Sequence, residues 1–135
     1  MSHEKALAFL AQMKDAPLFT PGEWVQLGIA DSKTGLLIGD IGLCLSQDGF
    51  SGTVGFTLSP SAQGRGIATA AVRHALKLFF DVTPTLRQVQ GVTDSRNAAS
   101  IRLLERIGFR RHETRSAVFR GEECVEEAYL LQRSG

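Results

Sequence analysis

The residues with the clearest chemical potential form a glycine turn ahead of a helical segment, and the turn reads Gln63-Gly64-Arg65-Gly66-Ile67-Ala68. The start of a helix has unpaired N–H groups and the positive end of the helix dipole, so it attracts anions. Gly64 and Gly66 lack a Cβ and let a ligand approach the main chain, while Arg65 and Thr69 add a charge and a hydroxyl group. Taken alone, the pattern fits both a phosphate-binding loop and an ordinary strand-to-helix turn.

A second group of polar residues starts a later helical segment. Asn97 is a favourable N-cap residue, which places Ser100 at the third helical position. A serine at that position can satisfy a free N–H group of the first turn or contact a ligand. Asn97 can be both a cap and a residue on the ligand side, since these two roles do not exclude each other.

Three further side chains are candidates for proton transfer or for the wall of a pocket. Asp40 lies between apolar neighbours in a predicted strand, where it is either a base that acts through a water or a solvent-facing carboxylate. His74 is expected at the edge between the polar stripe and the apolar arc of a helix. Tyr129, the only tyrosine, is expected in the core or in a pocket wall.

Two ordered motifs resemble those of the GNAT N-acetyltransferases, in particular the branch of the ribosomal-protein alanine acetyltransferases. Residues 54–60 and 63–71 resemble motif A, whose loop is written Gln/Arg-x-x-Gly-x-Gly/Ala. Residues 97–109 resemble motif B, an Asn-x-x-Ser followed by an apolar helix and Gly-Phe. The segment from Ile38 to Leu43 looks like the third strand of the family, so the resemblance extends from about Ala6 to Leu131.

The resemblance implies that the chain binds acetyl-coenzyme A and transfers the acetyl group to a primary amine of a small molecule or a peptide amino terminus. In the family the amine attacks directly in a ternary complex, so no acyl-enzyme is expected. The resemblance also implies which residues contact the coenzyme. They are Phe56, Thr57, Leu58, Gln63, Gly64, Arg65, Gly66, Ile67, Ala68, Thr69, Asn97, Ser100 and Arg106.

The resemblance says less about catalysis. Ser100 matches a serine near the coenzyme thiol and is the candidate for protonating the leaving thiolate, and Asp40 is the candidate for a water-mediated base. The branch often has Glu-x-Gly-Tyr on its fourth strand, where this chain has Thr53-Val54-Gly55-Phe56 and lacks both the carboxylate and the phenol. This departure leaves a second interpretation open, a non-catalytic module that binds acyl-coenzyme A or a partner.

Hydrophobic periodicity predicts the elements that position these residues. They are a helix from Ser2 to about Asp15, a hairpin of Trp24–Ala30 and Leu36–Leu45, a strand Thr53–Leu58, a helix Gly66–Phe80, a strand Leu86–Val92, a helix Asn97–Ile107, and two strands between Phe109 and Leu131. We expect one α/β domain over residues 1–135, with a GNAT-like mixed, mostly antiparallel sheet that has a V-shaped splay between its central strands and is flanked by helices.

The branch normally has a further strand and helix before the first helix predicted here, so the domain is expected to be amino-terminally short. A partner chain, as in a homodimer, is one way to complete the acceptor pocket.

Composition excludes several other classes of protein. The chain has 135 residues, 43% of them hydrophobic, and its 15 basic and 14 acidic residues give a net charge of +1. Nucleic-acid binding is not indicated, and no run approaches the roughly 18 apolar residues of a membrane span. Cys44 and Cys124 are expected as reduced thiols without a metal site. A Gly-x-x-x-x-Gly-Lys-Ser/Thr loop is absent, which disfavours an unrelated nucleotide-binding domain. These features predict a cytoplasmic protein.

Overall fold

Seven strands and two helices make up the part of the chain that the structure describes. The computed structural model describes residues 7–9, 19–31, 34–59, 66–119 and 121–133. The elements are β1 Leu7–Phe9, β2 Trp24–Asp31, β3 Leu37–Leu45, β4 Ser51–Leu58, α1 Ile67–Val82, β5 Gln88–Asp94, α2 Ala98–Ile107, β6 Arg110–Phe119 and β7 Glu122–Gln132.

The strands form one sheet in the order β1-β2-β3-β4-β5-β7-β6. Across the described residues, every pair of neighbouring strands is antiparallel except β4 and β5, which are parallel and are connected through α1. The predicted mixed, mostly antiparallel sheet is therefore confirmed.

Both helices pack on the same face of this sheet, here named the helix face. A Cβ added to Gly52 would meet the ring of Phe79 from α1 at 2.5 Å, and one added to Gly91 would meet Leu104 from α2 at 2.9 Å. Gly91 is the cross-strand partner of Val54, which lies two residues after Gly52, so all three project from one face. The two glycines let both helices approach the backbone closely.

The apolar arc of α1 supplies much of the core on the helix face. Phe79 is fully buried, and the ring of Phe19 lies 4.4 Å from it between centroids. The buried residues of the helix are Ile67, Ala71, Val72, Ala75, Leu76 and Phe79. They pack against Leu27, Ile29, Ile41, Leu43, Val54 and Val89 of the sheet, in one continuous cluster. The wide arc read from the sequence is thus explained by a helix that is covered on most sides.

The opposite face of β2, β3 and β4 is more polar and is here named the second face. In the described part of the chain, no helix packs on it. The residues that the alternation of side chains places there include Trp24, Gln26, Gly28, Asp40, Gly42, Cys44, Thr53, Gly55 and Thr57.

The central strands β4 and β5 separate part of the way along the sheet. They pair only from Ser51 with Gln88 to Val54 with Gly91, although β4 continues to Leu58. Beyond Val54 the edge of β4 that faces β5 has no strand partner within the described residues. The splay that the resemblance implied is therefore present.

The predicted first helix is wrong where the structure describes it. Residues 7–9 form strand β1, which pairs with β2 from Leu7 opposite Asp31 to Phe9 opposite Ile29. The rest of the predicted helix lies outside the described residues. Short isolated helices are marginally stable in water, whereas the free edge of β2 offers backbone hydrogen bonds to any extended segment. Tertiary pairing thus outweighs the local helical spacing.

Arg133 closes the end of α1 opposite the splay. Its guanidinium donates hydrogen bonds to the carbonyl oxygens of Phe80 at 2.9 Å, Thr83 at 2.8 Å and Leu86 at 2.7 Å. The same group lies 5.0 Å from the centre of the Phe80 ring. Carbonyl groups at the end of a helix lack intrahelical partners, so one arginine satisfies several of them.

Arg133→Ala is expected to lower the free energy of unfolding by about 2 kcal/mol, since it removes charged hydrogen bonds to carbonyls that are only partly exposed. Urea denaturation followed by circular dichroism measures this change. Arg110→Ala, which removes an exposed arginine from the edge strand β6, is the matched control and should cost less than about 0.5 kcal/mol. Equal unfolding midpoints for the two variants would show that the hydrogen bonds of Arg133 at the end of α1 contribute nothing to stability.

Candidate active site

A cleft of about 470 Å³ lies where β4 and β5 separate. Its walls come from three elements: the end of β4, the first turn of α1, and α2 with its cap. The lining residues are Phe56, Thr57, Gly66, Ala68, Thr69, Asn97, Ala99, Ser100, Arg102, Leu103 and Arg106. The two motifs that are far apart in the sequence therefore meet at one site.

The β4 wall offers unpaired backbone groups. From Gly55 to Leu58 the strand remains paired with β3 on one edge, while β5 no longer pairs with the other. Phe56 and Thr57 line the cleft on this stretch. A ligand with amide groups can extend the sheet here by accepting and donating main-chain hydrogen bonds.

The α1 wall is a helix start suited to an anion. Gly66 is the N-cap residue and has a φ of 76°, a left-handed conformation that residues with a Cβ rarely adopt. It makes no side-chain cap hydrogen bond, and the first turn contains no acidic residue. Since the first N–H groups of a helix have no intrahelical acceptor, those of Ile67, Ala68 and Thr69 are positioned to bind a negative group.

The α2 wall is held by its own N-cap. Asn97 accepts a hydrogen bond from the Ser100 N–H at 3.1 Å through its side-chain oxygen, as expected from the sequence. The preceding turn is braced by Asp94, whose carboxylate accepts bonds from the backbone and the guanidinium of Arg96. These hydrogen bonds lower the pKa of Asp94 to about 2. The carboxylate is therefore charged at neutral pH and keeps its hydrogen bonds to Arg96.

Among the described residues, the charged side chains that line the cleft are two arginines. Arg102 and Arg106 lie four residues apart on α2 and so share one face of the helix. Arg73 from α1 donates to the carbonyl oxygen of Arg106 at 3.2 Å and joins the two helical walls. The cleft therefore combines two cations with the positive end of α1, a charge pattern that suits a ligand with several phosphate groups.

Asp40 lies beside the cleft on the second face. It accepts a hydrogen bond of 2.6 Å from the hydroxyl of Thr57, its cross-strand partner, and Thr57 itself lines the cleft. The carboxylate is exposed, and Asp40 itself is not among the described residues that line the cleft.

The structure places most of the predicted coenzyme residues around this cleft, but not all of them. Gln63, Gly64 and Arg65 lie outside the described residues. The side chain of Leu58 also lies outside the described part of the protein, and the side chain of Ile67 is buried in the core, which leaves only the main chain of Ile67 for a ligand. Arg102 lines the cleft but was not among the predicted residues. Its position four residues before Arg106 was a signal in the sequence that could have identified it.

The other candidate side chains lie away from the cleft lining. His74 is exposed on α1. Tyr129 is 3% exposed and belongs to the core, where burial, together with nearby Glu105 and Glu127, raises the pKa of its phenol. Cys44 and Cys124 are free, half-buried thiols on β3 and β7. Among the described helices, none combines the length and the apolar character that crossing a bilayer would need.

Comparison with solved structures shows the same fold in several acetyltransferases. A ribosomal-protein-S5-alanine acetyltransferase from Vibrio fischeri superposes with a TM-score of 0.73 at 21% identity, covering 79% of this chain and 60% of that protein. A probable acetyltransferase gives a TM-score of 0.75 at 25% identity, with 83% and 62% covered. A mutant spermidine N-acetyltransferase from Vibrio cholerae gives 0.73 at 19% identity, with 82% and 66% covered. The chain thus spans about three fifths of the length of the first two.

Comparison with curated proteins found no significant match. The model of the acetyltransferase (GNAT) domain, by contrast, matches residues 1–110, which is most of the 135-residue chain. The match includes both motifs that form the cleft. The chain therefore belongs to the GNAT acetyltransferase family.

Proposed function

We propose that this protein is an N-acetyltransferase that uses acetyl-coenzyme A to acetylate a primary amine of a small molecule or a peptide amino terminus. The observation that carries the proposal is the cleft between β4 and β5, which joins an uncapped helix start, two arginines and an open strand edge. Each feature has a counterpart in the coenzyme, which contains a pyrophosphate, a further phosphate and a pantetheine arm with two amides.

Each wall of the cleft can be assigned to one part of the coenzyme. The N–H groups at the start of α1 and the hydroxyl of Thr69 would bind the pyrophosphate, and Arg102 and Arg106 would neutralise phosphate charge. The free edge of β4 at Phe56 and Thr57 would hold the pantetheine amides. This arrangement directs the thiol end of the arm toward the point where β4 and β5 part, close to Asn97 and Ser100.

Acetyl-coenzyme A supplies the thioester whose acetyl group is transferred. A neutral amine nitrogen forms the new C–N bond while the C–S bond breaks, so one proton must leave the nitrogen and one must reach the sulfur. The Ser100 hydroxyl is the group in the cleft that we assign to the sulfur. Asp40 is the carboxylate that we assign to the amine proton, through a water or through Thr57. Positioning the two reactants in one cleft supplies much of the remaining rate.

A second candidate function is a module that binds acyl-coenzyme A without transferring the acyl group. Thr53 favours it, because this residue lies on the second face of β4 where the branch that the two motifs resemble often has a glutamate. Both candidates use the same cleft, so coenzyme binding does not separate them.

The two candidates are separated by measuring coenzyme binding and thiol release on the same sample. Isothermal titration is expected to show binding of acetyl-coenzyme A but not of ATP or NAD, and a thiol-reactive dye is expected to report turnover with at least one amine in a panel of polyamines, amino acids and peptides. Coenzyme binding without thiol release across the whole panel would support the binding module. The absence of coenzyme binding would contradict both.

A further inference from the structure

Arg73 lies directly behind the α1 wall of the cleft. It follows the lining residue Thr69 by four positions, so the two side chains share one face of α1 and lie about 6 Å apart along the helix axis. Arg73 is exposed and is not among the described residues that line the cleft. Its Nη2 donates a hydrogen bond of 3.2 Å to the carbonyl oxygen of Arg106, a lining residue of α2. Arg73 thus reaches the opposite helical wall through its backbone.

The accepting carbonyl belongs to the last turn of α2, where the helix itself supplies no donor. The residue four positions after Arg106 is already the first residue of β6, outside the helix. The preceding carbonyls of Leu104 and Glu105 accept from the Gly108 N–H at 3.2 and 3.1 Å. The carbonyl of Arg106 instead accepts from Arg73, so the end of α2 is capped by a side chain from α1.

The two ends of α2 are held in different ways. In the turn before the helix, the N–H of Ser95 donates to the carbonyl oxygen of Val125 on β7 at 2.8 Å, which ties this end to the sheet. Further along, the helix packs through a narrow apolar stripe, in which Leu103 and Leu104 are buried. Apolar burial is non-directional, so it resists separation from the sheet more than it resists tilting. The bond from Arg73 adds a directional contact at the Arg106 end.

Small tilts of α2 would move the arginines of the cleft by distances that matter for binding. Arg106 follows the cap residue Asn97 by nine positions, or about 13 Å along the axis. A tilt of about 10° about the capped end would move Arg106 by about 2 Å, which is enough to break a hydrogen bond to a phosphate oxygen. The contact from Arg73 opposes this movement, because it fixes the distance between the two helices.

We propose that Arg73 is a positioning residue for the coenzyme, which sets the distance between the start of α1 and the arginines of α2 through its hydrogen bond to Arg106. The inference rests on the proposed function, since acetyl-coenzyme A is the ligand whose phosphates span the two helices. Those phosphates are covalently linked, so they contact the α1 start and Arg102 together only at the right separation. Ser100 is in the first turn of α2, near the end that the sheet holds, and depends less on Arg73.

The inference is tested by isothermal titration of acetyl-coenzyme A into the starting protein and two variants. Arg73→Met keeps the length and the helix propensity of the side chain and is expected to weaken binding about tenfold. Lys77→Met is the matched control. It removes the same charge one turn further along α1, where Lys77 bonds to Asp81 at 2.9 Å, and should stay within about twofold of the starting protein.

Stability is measured on the same samples, because a purely structural role would lower the unfolding midpoint without changing the affinity of the folded protein. With an amine that supports thiol release, the KM for acetyl-coenzyme A should rise about tenfold in Arg73→Met, while kcat at saturating coenzyme stays within about twofold. The split is expected because Ser100 lies at the held end of α2. A fall in kcat with an unchanged KM would contradict the positioning role.

A double-mutant cycle separates positioning from direct contact with a phosphate. Arg106→Met removes the guanidinium but keeps the backbone carbonyl that Arg73 contacts. If Arg73 acts by positioning Arg106, adding Arg73→Met to Arg106→Met should weaken binding by less than about threefold, because most of what it positions is already gone. The full tenfold loss in both backgrounds would show that Arg73 is itself a phosphate ligand, and would overturn the inference.

Equal affinities of the starting protein and Arg73→Met would also overturn the inference, and they would leave the proposed function standing. Failure of the proposed function has a different signature, since the starting protein itself would then not bind acetyl-coenzyme A. That result would contradict the positioning role as well.

Discussion

Gly66→Glu is expected to weaken acetyl-coenzyme A binding by at least about 100-fold, or roughly 2.7 kcal/mol. The left-handed φ of 76° at this N-cap costs a residue with a Cβ about 1–2 kcal/mol. In addition, the new carboxylate enters the lining of the cleft at the helix start where phosphate would bind, and two like charges about 4 Å apart repel by about 4 kcal/mol near a protein surface. Isothermal titration calorimetry measures the loss.

Gly121→Glu is the matched control for this substitution. Gly121 lies between β6 and β7 with a φ of 81°, and a Cβ there would meet none of the described atoms within 4 Å. The control therefore adds the same charge and the same backbone strain at a site away from the cleft lining. Both variants should lose similar stability, but only Gly66→Glu should lose coenzyme affinity. Unchanged affinity in Gly66→Glu would refute the assignment of the α1 start as the phosphate site.

Asp40→Asn is expected to lower kcat about 100-fold while leaving the affinity for coenzyme unchanged, since general-base catalysis typically contributes a factor of about 10² to 10⁴. The asparagine keeps an oxygen that can accept the hydrogen bond from Thr57, so the contact between β3 and β4 is retained. The deficit should shrink as the pH rises toward the pKa of the free amine, because more of the acceptor is then already neutral. Steady-state thiol release between neutral and alkaline pH measures both effects.

Asp81→Asn provides the control for the loss of one negative charge. Asp81 is exposed on α1 and pairs with Lys77 at 2.9 Å, and neither residue lines the cleft. Its kcat should stay within about twofold of the starting protein, since exposed pairs contribute little. A similar kcat for Asp40→Asn and Asp81→Asn would exclude Asp40 as the base.

These predictions depend on the cleft that β4, α1 and α2 form together. The sequence predicted each of these elements, but not how they meet. Alternation and helical spacing predicted the elements from Trp24 onward in their observed order, because each buries one regular face. The same reasoning failed at residues 7–9, where a strand partner competes with local spacing. The structure also adds Arg102 to the cleft, a residue that no motif had singled out.

By itself, the sequence determined the local features of the candidate site. The N-cap role of Asn97 and the glycine at position 66 follow from side-chain chemistry and backbone freedom, which act within a few residues. The motifs that contain them were sufficient to predict the family, which the match over residues 1–110 confirms.

Only the tertiary structure decided where the strands part and what lies opposite each residue. The adjacency of Gly42 and Gly55, and the hydrogen bond from Thr57 to Asp40, depend on strand register. A shift of one residue in register would send each of these groups to the other face of the sheet. Register is set by the burial of the whole helix face, so the cleft is a consequence of global packing that no local segment encodes.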